Sequence, residues 1–330
     1  MAGQVENYLE VEDLSVTYSS GGERVSAVNH VSFQLKRGKT LALVGETGAG
    51  KTTIAKSILR ILPEPQAKIT SGSIKLEGTD LLQFNENEMR RIRGKKISMV
   101  FQDPMTALNP VKTIGEQISE AIKMHEIVSK READAKAKEM LEMVGIPGRR
   151  ASEFPHQFSG GMKQRAVISI ALACQPDLLL LDEPTSALDV TIQAQVLDLI
   201  SELKRTFNSS VILITHDLGV VAGQSNDVAI VYAGEIVEIG PKEEVFLHPA
   251  HPYTIGLFGA IPDIFSKAKR LTSIKGMPPD PTDLPSGCCF HPRCPYAQSG
   301  CTEEKPPMRE VGPAHFCSCP CIANAGGRNG

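Results

Sequence analysis

The run Gly45-Glu46-Thr47-Gly48-Ala49-Gly50-Lys51-Thr52 combines residue types suited to gripping a phosphate. Glycines let backbone N–H groups curl around anionic oxygens without Cβ clashes, and a helix that begins directly after them offers a partial positive end. In the pattern G-x-x-x-x-G-K-S/T the lysine reaches the β- and γ-phosphates and the next hydroxyl ligates Mg²⁺. Lys51 and Thr52 stand at those two places, with Thr53 following, so the run is expected to bind a nucleoside triphosphate. Further along, Leu178-Leu-Leu-Leu-Asp182-Glu183 is an apolar stretch that ends in two carboxylates. Asp182 is placed to hold Mg²⁺ through water. Glu183, pointing the other way along a strand, is placed to polarise an attacking water. An apolar run ending in Asp-Glu is by itself an ordinary core strand; its distance from the phosphate loop makes it informative. His216 and Gln102 each follow a β-rich stretch, where they could meet a γ-phosphate or Mg²⁺, or be simple polar strand ends. Tyr18 could stack on adenine or pack on its own sheet.

These residues need a scaffold with alternating elements. Tyr8 to Leu35 reads as an antiparallel hairpin around Gly21-Gly22. Thr40 to Val44 is a short buried strand feeding the glycine loop, and Lys51 to Leu62 reads as a helix stopped by Pro63. Ser73–Glu77 and Ile97–Phe101 read as strands. Between Pro104 and Phe158 the character is helical, with Ile114, Ile118, Ala121 and Ile122 at helical spacing, as are Ala137, Met140, Leu141 and Val144 ahead of Gly145. Strand and helix then alternate through Leu178–Leu181, Val190–Phe207, Val211–Ile214 and Val228–Tyr232. That order predicts an α/β fold whose mainly parallel sheet is covered on both faces.

Bulk properties exclude several function classes. Net charge is -3, which offers no general attraction to nucleic acid or anionic lipid. The first ten residues lack the order of a secretory signal. The longest uncharged apolar run, Ala166 to Cys174, is about half a membrane span, so membrane association is expected through a partner. Seven of the eight cysteines fall between Cys288 and Cys321, and 13 of the 22 prolines follow Phe246. The shift suggests two parts, residues 1–245 and a smaller Cys- and Pro-rich module over residues 246–330.

Phe158-Ser159-Gly160-Gly161-Met-Lys-Gln164-Arg165 resembles the signature of ABC ATPases, and residues 181–189, Leu-Asp-Glu-Pro-Thr-Ser-Ala-Leu-Asp, resemble their magnesium strand and following loop. The resemblance extends from residue 8 to about 240. It implies an ABC-type nucleotide-binding domain with an N-terminal antiparallel β subdomain and a helical subdomain inserted at about 104–165. It casts Gln102 and His216 as further catalytic residues beside Glu183, Gln102 also as a Mg²⁺ ligand, and Tyr18 as the adenine stacker. Ser159, Gly160 and Gly161, at a helix start, would hold the γ-phosphate bound by an opposite subunit. ATP would then be sandwiched between two such ATPases, identical or homologous, placed head to tail on two transmembrane permease subunits at the cytoplasmic face of the membrane. Phe101-Gln102-Asp103-Pro104, Ala107-Leu108-Asn109-Pro110 and His248-Pro-Ala-His-Pro252-Tyr253-Thr254 are similar to dipeptide and oligopeptide importers, which an extracytoplasmic binding protein feeds. Nickel importers share that framework.

The C-terminal cysteines resemble the end of the same group, which implies Cys288, Cys294, Cys301 and Cys319 as four metal ligands. Cys289, Cys317 and Cys321 are extra, so the first and last assignments stay open. An all-thiolate set suits a 4Fe-4S cluster, with structural zinc, or free or disulfide-linked thiols, as the alternatives. Soluble ABC proteins acting on DNA or ribosomes usually carry two ATPase cassettes in one chain or a long coiled-coil insertion, and the single phosphate loop without sustained heptads counts against that reading. A redox sensor gating the ATPase would be an added layer on the same framework.

Overall fold

The computed structural model describes residues 7–186, 188–260 and 274–320, and Cys321 lies outside them. By its contacts the chain divides into two compact units that interleave in sequence. One contains Leu35–Thr40 and Asp80–Ile214; the other contains Leu9–Gln34, Leu41–Thr79 and the chain from Thr215 onward.

The first unit carries three parallel strands and the helical segment. Leu178–Asp182 lies between Ile97–Val100 and Ser210–Thr215 and is buried at all five positions. A strand flanked on both edges and covered on both faces has no solvent side, which is why it is an unbroken run of leucines. Helices Ile114–His125 and Lys130–Met143 each begin with a reciprocal capping box, Thr113 with Glu116 and Ser129 with Glu132. Such boxes satisfy two of the amides that a helix start leaves unpaired. Ile114, Ile118 and Ile122 on one helix and Ala133, Ala137, Met140 and Leu141 on the other are buried at the expected period. The second helix ends at Met143, ahead of Gly145, as its sequence implies.

The second unit carries the strand Thr40–Val44, parallel to Asp227–Tyr232. Asp227–Tyr232 then pairs antiparallel with Glu235–Pro241, a strand the periodicity did not reveal. Two more unforeseen strands come from the cysteine-rich end: His315–Cys317 pairs with Glu235–Pro241, and Arg309–Gly312 pairs with His315–Cys317. A separate antiparallel sheet runs in the order Glu23–Lys36, Asn7–Ser20, Ala67–Leu76, Thr79–Asp80, with the expected hairpin turn at Gly21-Gly22. The α/β fold with a parallel core and an antiparallel β part is thus present.

One helix is shorter than its sequence suggests. Lys51–Ile58 stops well before Pro63, because Arg60 adopts φ 51° and the Ile61 amide donates back to the Lys56 carbonyl at 3.0 Å. That six-to-one bond is the usual helix-stopping pattern, here built on an arginine rather than a glycine.

Candidate functional site

The phosphate loop joins the buried strand Thr40–Val44 to the helix Lys51–Ile58. Gly45 packs so closely that a Cβ there would lie 2.0 Å from the Val231 carbonyl oxygen. Gly50 caps the helix at φ 98°, a conformation that side-chain-bearing residues rarely adopt. It makes no side-chain cap hydrogen bond to the helix, and a helix start of this kind suits an anion. Lys51 is 6% exposed, and its Nζ donates to the carbonyls of Gly45 at 2.7 Å and Glu46 at 2.8 Å. The ammonium is therefore folded back across the loop that precedes its own helix. Glu46, Thr47, Gly48 and Ala49 complete that loop, and the Ala49 carbonyl accepts from the Gly234 amide at 3.0 Å. Thr52 and Thr53 lie half-buried in the first helical turn. In the same unit, His216 is exposed just past the end of Ser210–Thr215. Tyr18 is half-buried opposite Ala67 in the antiparallel sheet.

In the other unit the two carboxylates sit where the leucine strand ends. Asp182 is 3% exposed on its last residue. Glu183 follows in a left-handed conformation, φ 45°, with its amide bonded to the Ile214 carbonyl at 2.9 Å. This turns its side chain away from the strand path. Gln102 Nε2 donates to Glu183 Oε2 at 2.9 Å, so two residues singled out 81 positions apart are brought into contact. An amide donor at one carboxylate oxygen helps to orient the group for work as a base. Ser159 caps the helix Gly160–Leu172, its hydroxyl accepting weakly from Met162 N at 3.4 Å. Ser159 and Gly160 are exposed and Gly161 is half-buried, which suits a surface that meets an anion from outside.

The cysteines gather without closing a metal site. Cys301, Cys317 and Cys319 share a buried cluster with Ala250, and Cys288 packs against it. Cys289 belongs instead to a neighbouring cluster around Tyr232, Tyr253 and Phe290, on which Cys288 and Cys294 also pack. Among the described residues no three His, Cys, Asp or Glu side chains form a group able to hold a metal ion. The ligand set expected from Cys288, Cys294, Cys301 and Cys319 thus lies across two adjoining apolar clusters, Cys288 packing against both, and among the described residues it does not form a group that fits a 4Fe-4S cluster or zinc. Burial pushes the Cys288 thiol up to about 11 and that of Cys289 to about 12, and raises Cys294 and Cys317 as well.

Sequence reasoning missed the contacts that this end makes. Arg293 Nη1 and Nη2 lie 2.9 and 3.1 Å from the two carboxylate oxygens of Glu46 in the phosphate loop. Tyr253 Oη accepts from the Glu46 amide at 3.0 Å. The buried Glu238 carboxylate accepts from the amides of Ala250 and His251, both at 2.8 Å, and faces His315 Nε2 at 2.7 Å. Arg293 and His315 stand inside the cysteine pattern, where the thiol spacing is the stronger signal and hides them.

A family model described as "ABC transporter" matches residues 28–186, and one described as "Oligopeptide/dipeptide transporter, C-terminal region" matches residues 237–301. The oligopeptide transport ATP-binding protein OppD of Bacillus subtilis is 48% identical over 95% of this chain and 88% of its own length. The dipeptide transport ATP-binding protein DppD of the same organism is 48% identical over 96% and 95%. OppD of Escherichia coli is 44% identical over 96% and 94%. Among solved structures, a dimeric post-hydrolysis state of the ATP-binding cassette MJ0796 bound to ADP and Pi aligns with TM-score 0.64 and 28% identity, over 71% of this chain and 98% of that one. With relatives this similar across nearly the whole sequence, the chain belongs to the ATP-binding proteins of the ABC oligopeptide and dipeptide transporter family.

Proposed function

We propose that this chain binds and hydrolyses ATP to power uptake of dipeptides or oligopeptides through a membrane permease. The observation that carries the hydrolytic part is the Gln102–Glu183 pair, in which the Gln102 amide holds the Glu183 carboxylate just past the end of the leucine strand. In this reading Lys51 and the loop amides bind the β- and γ-phosphates, and Thr52, Gln102 and Asp182 hold Mg²⁺, which neutralises developing charge on the phosphates. Glu183 accepts the proton of the attacking water, His216 donates to the γ-phosphate and Tyr18 stacks on adenine. Ser159, Gly160 and Gly161 act on the nucleotide of a second ATPase subunit. The MJ0796 cassette, a dimer bound to ADP and Pi, supports that arrangement. Two permease subunits and an extracytoplasmic peptide-binding protein complete the expected partners, with no nucleic acid. No helix among the described residues is long and apolar enough to cross a membrane, which accords with a peripheral position on the cytoplasmic face. The C-terminal match and the peptide-transport relatives favour peptide over nickel as cargo.

Glu183→Gln tests the central assignment. The variant should bind ATP, lose at least about a thousandfold in turnover, and accumulate as an ATP-dependent dimer on gel filtration. Wild-type turnover would remove Glu183 from its role.

The 4Fe-4S reading of the thiols is supported by their crowding into one region, where Cys288 packs against both thiol-bearing clusters, and opposed by the lack of a metal-holding group among the described residues. Iron, sulfide and zinc content of protein purified without oxygen decides between cluster, zinc and free thiols.

A further inference from the structure

Arg293 lies in the short turn His291–Arg293, strung between two of the thiols. The His291 amide donates to the Cys288 carbonyl at 2.9 Å, and the Cys294 amide to the His291 carbonyl at 3.2 Å. From this turn the arginine reaches back 247 positions. Its two terminal nitrogens take both oxygens of Glu46, Nη1 also donates to Tyr232 Oη at 3.2 Å, and Nε donates to the Lys275 carbonyl at 3.1 Å. The side chain is 6% exposed, so this is not a solvated surface pair. A planar fork matched to a carboxylate fixes orientation as well as charge. The Glu46 amide is held by Tyr253, and its carbonyl accepts from Lys51.

A loop that must accept a triphosphate thus carries a carboxylate of its own. Left unpaired, that charge would oppose the ligand at short range. We propose that Arg293 is a positioning residue for nucleotide binding: it neutralises Glu46 and fixes its peptide, so that the cysteine-rich segment sets the shape and charge of the phosphate loop. The inference rests on Gly45–Thr52 being the ATP loop. It assigns the C-terminal segment a task that does not depend on metal.

The test measures ATP affinity calorimetrically without Mg²⁺ in Arg293→Met, which keeps the apolar stem, and in Arg293→Met/Glu46→Gln. The single variant should bind ATP about tenfold more weakly, and removing the stranded carboxylate should restore affinity to within about threefold of wild type. A merely structural arginine would not be rescued by changing Glu46. Unchanged affinity in the single variant, or no recovery in the double, overturns the proposal. Should Arg293→Met fail to fold, the double decides: wild-type-like affinity supports the proposal, and weak binding or failure to fold overturns it. Lys51→Ala separates the two levels. If it binds ATP as tightly as wild type, the loop reading fails; if it loses ATP while Arg293→Met does not, only the present inference falls.

Discussion

The phosphate loop and the cysteine-rich end lie in one compact unit, yet they draw on local bonds to very different degrees. The loop's turn is formed by its own neighbours, Lys51 reaching carbonyls five and six positions back and Ala49 bonding to Glu46, with Gly234, Tyr253 and Arg293 then holding it from far away in sequence. The C-terminal segment is held by partners far away in sequence, Glu238 with His315 across 77 positions and Glu46 with Arg293 across 247. Short-range closure leaves a spacing pattern in the sequence. Long-range closure leaves only isolated polar residues, whose partners become visible in three dimensions.

The two regions should therefore respond to substitution differently. The largest effect is expected at Glu238, whose carboxylate is 0% exposed with three donors or ring partners around it. Glu238→Ala strands His315 and two buried amides, and should cost about 3–5 kcal/mol of unfolding free energy, read from urea titration. A loss under about 1 kcal/mol would mean that the terminal strands contribute little. Lys51→Ala should show the reverse pattern. It should weaken ATP binding roughly a hundredfold by calorimetry, as two charge-assisted bonds are lost, while unfolding free energy falls by less than about 1.5 kcal/mol. Equal damage to stability would erase the contrast.

The smallest effect is a pH signature. Burial holds His251 down at about 4, its Nδ1 accepting from the Tyr253 amide at 3.1 Å. An unfolded histidine titrates near 6.5. Between those values the unfolded chain takes up a proton that the folded one refuses, so this contribution is complete above pH 6.5 and is lost as pH falls towards 4. His251→Asn keeps a capping oxygen and removes the titration. Comparing urea unfolding at about pH 7.5 and pH 5, the variant should lose about 2 kcal/mol less than wild type. Identical losses would place the acid sensitivity elsewhere.

The parts of the molecule that were legible beforehand share a cause. Leu178–Asp182 was visible because a strand buried on both faces must be apolar throughout, and the helices at Ile114 and Lys130 because one face each must be. Glu235–Pro241 was hidden for a converse reason. Its Glu238 looks like a solvent-facing position but is buried against His315, and a register shift between Ile236 and Glu238 breaks the period of two. The early end of the helix at Ile58 escaped because an arginine, not the glycine usual there, takes the left-handed turn. The family resemblance implied a metal set among the thiols, but how they pack, across two adjoining apolar clusters that Cys288 touches together, is not legible in their order.

Residue order alone was enough for the phosphate loop, the paired carboxylates, the signature turn and the α/β alternation, since each depends on neighbours within a few positions or on a one-dimensional period. Which distant side chains meet was settled only when the chain packed. The Gln102–Glu183 contact, the Arg293–Glu46 fork and the Glu238–His315 pair each join residues 77 or more positions apart, and in the last two burial selects the partner by the cost of leaving a charge unmatched.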